Sequence, residues 1–199
     1  FGPGANQPAS ALKAPGFAAF FVLSAALLAF FAWRQPMFST WDEFSFWGTA
    51  ARIVKTSGGL YVNADIGWAW VGTHRPALVV LGWFFQFFGG YAEWRVLAGY
   101  DILLIAIFAA LTAGCKKGAP RQWVPALGFG FLLPFVVTLY GSVTRPTDLY
   151  ASALSDIPLG LTFGGALAVY YINEKKALWP SALALAALCL EKDTGFALA

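Results

Sequence analysis

Charge is scarce in this 199-residue sequence. Only 12% of the residues are Asp, Glu, Lys or Arg, about half the share found in soluble globular domains. With 59% hydrophobic residues, the composition argues against a water-soluble enzyme. Cysteine is nearly absent: Cys115 and Cys189 stand in no metal or redox spacing, which excludes a disulfide scaffold and a zinc cluster. His74 is the one histidine, with no spaced partner. No G-x-G-x-x-G or other nucleotide-cradling loop occurs, so no nucleotide cofactor is expected. A net charge of +3, scattered along the chain, argues against nucleic acid as a partner. What abounds is aromatic, nineteen Phe and nine Trp, a composition that suits a membrane interface. The expected fold class is an all-α, polytopic integral membrane protein with the lipid bilayer as its solvent.

Residues 1–16 are rich in Gly, Pro, Ala and Gln and read as a loose tail. Apolar runs then predict about five spans. These are Phe17–Trp33, Glu93–Gly114, Trp123–Tyr140 with a kink at Pro134, Ile157–Ile172 opened by Pro158, and a run starting near Trp179. No small-residue cleavage site follows the first run, so it reads as a span and not a removable signal. Between the first two spans lies a polar, aromatic segment, Arg34–Arg75. It predicts a short helix around Phe46–Thr56, stopped at Gly58-Gly59. Pro76–Phe88 follows, apolar but only 13 residues long. As a helix it reaches roughly 20 Å, short of a hydrocarbon core of about 30 Å, and predicts an in-plane helix. The start at Phe1 and the end inside an apolar run at Ala199 predict that 17–199 is a transmembrane module of a longer protein.

Lys and Arg in short loops set the expected orientation. Lys116, Lys117 and Arg121 follow the second span, Lys175 and Lys176 the fourth, and Lys13 lies in the tail. Placing these inside puts Arg34–Arg75 and Gly141–Asp156 on the outer face of a multi-pass protein of the cell inner (plasma) membrane. Asp42, Glu43, Asp65, Glu93, Asp148, Asp156, Glu191 and Asp193 then gather outside or at the outer boundary, with Glu174 alone inside.

Four constellations could carry chemistry there. Asp42-Glu43, flanked by Trp41, Phe44, Phe46 and Trp47, offers a carboxylate that can serve as a general base toward a hydroxyl; an aromatic belt with solvated acids is the plainer alternative. In Thr73-His74-Arg75-Pro76 the imidazole could ligate a divalent metal and the guanidinium could grip a phosphate, or His74 is an ordinary loop residue. Ser155-Asp156-Ile157-Pro158 is either a second acid or a helix cap, with Asp148 a rival for the acid's role. Glu191-Lys192-Asp193 falls only about 12 residues, ~18 Å of helix, into the fifth span, where ionisable groups usually face a cavity or a partner. These three charges could equally neutralise one another. Asp101, inside the second span, raises the same question.

In their order, these elements resemble the amino-terminal half of the GT-C glycosyltransferases, nearest the protein O-mannosyltransferase and lipid A aminoarabinose transferase branch. The resemblance rests on Asp42-Glu43 after the first span, the small-residue stretch Gly48-Thr49-Ala50-Ala51-Arg52, and Arg75-Pro76 leading through aromatics to Phe88-Gly89. Arg95 opening the second span, Asp156 opening the fourth, and the break containing Lys192 and Gly195 complete it. Related enzymes often carry Glu where His74 stands, and Asp193 is an addition to the break. The resemblance implies sugar transfer, with inversion, from a polyprenyl-phosphate donor to an acceptor hydroxyl at the extracytoplasmic face. Asp42 would be the base, Asp156 the second catalytic acid, and Glu43, Arg75 and Lys192 substrate-binding groups; His74 and Glu43 would hold any divalent metal. Two alternatives stay open: a non-catalytic subunit that packs against other membrane subunits of a larger complex, and a transporter built around Asp101 and Lys192.

Overall fold

A computed structural model describes residues 15–61, 74–87, 89–112 and 150–172, residues 178–199, and positions 120, 124 and 128. Among the described residues every regular element is helical, and no strand occurs. The elements are α1 (Pro15–Arg34), a π-helical turn (Glu43–Trp47), α2 (Gly48–Ser57), α3 (Ala77–Phe84), α4 (Glu93–Ala110), α5 (Asp156–Ile172), α6 (Leu178–Glu191) and the terminal turn α7 (Gly195–Leu198).

The first apolar run forms α1, which at 20 residues reaches about 30 Å. Among the described residues it is the one helix long and apolar enough to cross a bilayer. The 18-residue α4 carries Glu93, Arg95 and Asp101, while α5 and α6 are shorter, at 17 and 14 residues. The expected third span lies outside the described residues except at positions 124 and 128. Two expected boundaries move. The helix after Pro76 runs only from Ala77 to Phe84, because the chain turns at Phe85-Gln86 and Gln86 returns both side-chain atoms to the backbone of Ala92. The expected span Glu93–Gly114 is helical to Ala110 and then turns at 111–112. The helix expected near Phe46–Thr56 begins earlier, as a π turn, and stops where Gly58 takes a left-handed φ of +71° that glycine adopts freely.

Specific contacts fix the direction of each long helix. Gly16 at the start of α1 lies against Ala109 at the end of α4 and Thr112 just past it. At the other end, Phe38 donates its N–H to Glu93 Oε2 (2.8 Å). These two helices are antiparallel. α5 and α6 are antiparallel as well, since Thr162 in α5 bonds Glu191 at the end of α6 and Lys192 pairs with Asp156 at the start of α5. Asp101 and Ile107 of α4 meet Ala151 and Gly165 in that same order, so α4 and α5 run the same way. The end of α1, the starts of α4 and α5 and the end of α6 therefore share one end of the assembly. Here α2, α3 and the π turn pack around Trp47, Ala50, Ala51, Leu78, Val79 and Val96, all buried. The outward faces stay apolar, with Phe17, Phe21, Val22 and Phe30 exposed on α1 and Leu178, Trp179 and Leu183 on α6.

Close approach at Gly16 makes a test of this packing. A side chain there would collide with the Ala109 carbonyl and the Thr112 hydroxyl. Gly16→Val is expected to push α1 off α4 and to cost about 1–3 kcal/mol, the usual toll of overpacking. Thermal unfolding in detergent would read it, and an unchanged transition would contradict the contact.

Candidate functional site

Four charged groups from three distant parts of the sequence meet at the shared end. Arg75 Nε donates to Asp193 Oδ1 at 2.8 Å, and the preceding residue, Lys192, pairs through its ammonium with Asp156 Oδ1. The backbone step from Lys192 to Asp193 joins the two pairs, so cation and anion alternate along the row Arg75, Asp193, Lys192, Asp156. All four remain accessible; the Asp193 and Asp156 side chains are 60% and 74% exposed. Exposed pairs of this kind contribute only about 0–1 kcal/mol each, so an incoming anion can displace them. Phe196, from α7, backs the guanidinium with its ring centre 5.0 Å away.

An aromatic wall adjoins the row. The His74 ring stacks on Phe46 (4.2 Å between centroids) and meets Trp47 edge-on at 5.8 Å. Tyr61, almost wholly buried, packs edge-on against Phe46 and donates its hydroxyl to the His74 carbonyl. Burial, with the Asp193 charge adding to it and Arg75 opposing, pushes the Tyr61 phenol up to about 12. The phenol therefore stays a donor through the physiological range and pins the backbone leading into Arg75. A phenol held above its unfolded value of about 10 stabilises the fold fully below pH 10. That contribution is lost as pH rises through about 12. Tyr61→Phe is expected to lower stability near neutrality by about 1 kcal/mol, one hydrogen bond, and to flatten the alkaline fall. Tryptophan-monitored unfolding between pH 8 and about 12 checks both; identical profiles would remove the bond from the account.

The two neighbouring acids Asp42 and Glu43, expected as base and as substrate- or metal-binding group, part company. Glu43 is fully buried, and its carboxylate accepts three backbone N–H bonds: Ser39 (2.6 Å) and Thr40 (2.8 Å) at Oε2, Ala153 (2.8 Å) at Oε1. Asp42, one residue earlier, is exposed and bonds no helix N–H. It precedes by about one turn Phe46 and Trp47, against which His74 packs. The Glu43–Ala153 bond joins the segment bearing Asp42 to the segment that enters α5 at Asp156, so both acids occupy the same end. Arg95 stands elsewhere, donating to the Gly90 carbonyl (2.8 Å) beside the ring of Trp94. Asp148 and Asp65 lie outside the described residues.

The expected metal pair does not fit. Glu43 is enclosed and surrounded by N–H donors, and His74 stacks on apolar rings. Among the described residues no three His, Cys, Asp or Glu side chains converge. Sequence reasoning missed the internal task of Glu43, the Tyr61 anchor and the Asp193 partner of Arg75. Only the last left a signal, an unexplained acid beside Lys192. No family model, curated protein or solved structure matches the chain.

Proposed function

We propose that this chain is a GT-C-type glycosyltransferase module of a multi-pass inner-membrane protein, taking its sugar from a polyprenyl phosphate. The alternating row from Arg75 to Asp156, at the same end of the assembly as Asp42, carries the reading. It supplies two cations at one end of an apolar helical assembly, where a phosphate carried by a lipid would lie. The membrane part rests on α1, on the exposed Phe, Leu and Trp side chains, and on sidedness. The sequence segments attached to the opposite helix ends hold Lys13, Lys116, Lys117, Lys175 and Lys176.

In the proposed reaction, Asp42 takes the proton of the acceptor hydroxyl as its oxygen attacks the anomeric carbon. The bond from that carbon to the phosphate oxygen breaks on the opposite face, so configuration inverts. The phosphate leaves with one more negative charge than it had as a diester. Arg75 and Lys192 stabilise that growing charge, the kind of preorganised electrostatics that dominates many transition states. Asp156 holds the Lys192 ammonium in place, and Glu43 fixes the loop that presents Asp42. No step passes through a metal.

The test is transfer itself. The protein at its natural length, purified in detergent, is expected to move labelled sugar from a polyprenyl-phosphate donor to an acceptor fraction from the same membranes. A stoichiometric complex with other membrane subunits and no transferase activity would favour the structural-subunit alternative. For that alternative the exposed apolar faces of α1 and α6 would serve as partner contacts.

A further inference from the structure

The row of four charges has a property that a plain phosphate clamp lacks. Its two cations, Arg75 and Lys192, are matched by two carboxylates, Asp193 and Asp156, so the row sums to zero. Asp193 is the carboxylate nearest the guanidinium, bonded to Nε at 2.8 Å. It is more than half exposed, hence placed to share the guanidinium with a bound anion and not sealed away from it. Its field also reaches inward, since it and Arg75 act in opposite senses on the buried Tyr61 phenol.

We propose that Asp193 is a specificity-determining residue: an internal anion that favours a singly charged phosphodiester over a doubly charged phosphate monoester at the Arg75–Lys192 site. The inference rests on the proposed reading, in which the donor is a diester and the released lipid a monoester. Transfer raises the charge of the bound phosphate by one. A neutral row accepts the monoanion with little repulsion, whereas a dianion meets Asp193 at close range. The donor is then held in preference to the spent lipid, and product leaves instead of blocking the site. Asp156, the other carboxylate of the row, pairs with Lys192 and lies farther from Arg75 along it, so Asp193 should have the larger influence at the guanidinium.

Equilibrium binding to the purified full chain tests this without requiring turnover. Two probes share one short prenyl chain: prenyl phosphate, a dianion well above its second pKa near 6, and its methyl ester, a monoanion. Quenching of tryptophan fluorescence at pH 8 gives each affinity. Asp193→Asn is expected to tighten the monoester by about three- to ten-fold and the methyl diester by no more than about two-fold, since every ~1.4 kcal/mol is ten-fold. Asp193→Glu should restore the native ratio, which a residue needed only for folding would not do. In Asp193→Asn/Arg75→Gln the gain should disappear. Equal tightening of both probes, or none, would overturn the role of Asp193 and leave the phosphate site standing. If neither probe binds native protein or any variant, the phosphate site falls, and the inference falls with it.

Discussion

Glu43→Gln is expected to melt about 6–12 °C below the native protein, and Glu43→Ala lower still. The amide is nearly isosteric with the carboxylate, so volume is not the issue. The native carboxylate accepts three N–H donors, two at Oε2 and one at Oε1. Gln can keep one oxygen toward Ser39 and Thr40, but then its NH2 faces the N–H of Ala153, donor against donor. Hydrogen bonds to a charged acceptor are worth about 1.5–3 kcal/mol, and a buried donor left unsatisfied costs about 1–3 kcal/mol more. Loss of the Ala153 bond alone therefore removes about 3 kcal/mol, and 1 kcal/mol corresponds to roughly 2–4 °C at this chain length. The lost bond is the tie between the Asp42 loop and the entry to α5, residues 110 apart in sequence. Trp47, buried four residues beyond Glu43, gives a fluorescence signal for the transition. A variant melting within about 2 °C of native protein, less than 1 kcal/mol, would mean that Glu43 is no internal staple and is free to serve as a ligand.

That result bears on how far a sequence of this kind can be read. Hydropathy located α1, α5 and α6 to within a few residues, because a run of apolar side chains is a local property. The charges in short loops predicted which helix ends belong together, and the Phe38–Glu93, Glu43–Ala153 and Lys192–Asp156 contacts join those same ends. The roles of adjacent acids were not legible. Asp42 and Glu43 are neighbours of one type, and what divides them is the step of about 100° between successive helical residues, which leaves one outward and carries the other onto the N–H of Ala153. No local pattern announces a partner 110 residues away. The helix after Pro76 was overestimated for a related reason. Its apolar run continues past Phe84, but Gln86 closes the turn through the backbone of Ala92, and composition cannot anticipate that.

Asp42→Asn should separate chemistry from architecture. An exposed carboxylate that caps no helix contributes little to folding, and surface substitutions away from special features usually fall within about 0.5 kcal/mol. The melting temperature is therefore expected to stay within about 2 °C of native. Transfer is expected to fall by about 10²–10⁴-fold, the usual contribution of a positioned general base. Donor binding should persist, because Arg75 and Lys192 are untouched, so the loss should appear in kcat with little change in the donor KM. Glu43 sets the contrast: its substitution should lower stability and transfer together, whereas Asp42→Asn should lower transfer alone. Native turnover in Asp42→Asn would remove Asp42 from the mechanism. The base would then have to be sought in Asp156, whose release of Lys192 on ionisation-neutral substitution would betray itself as a change in donor affinity.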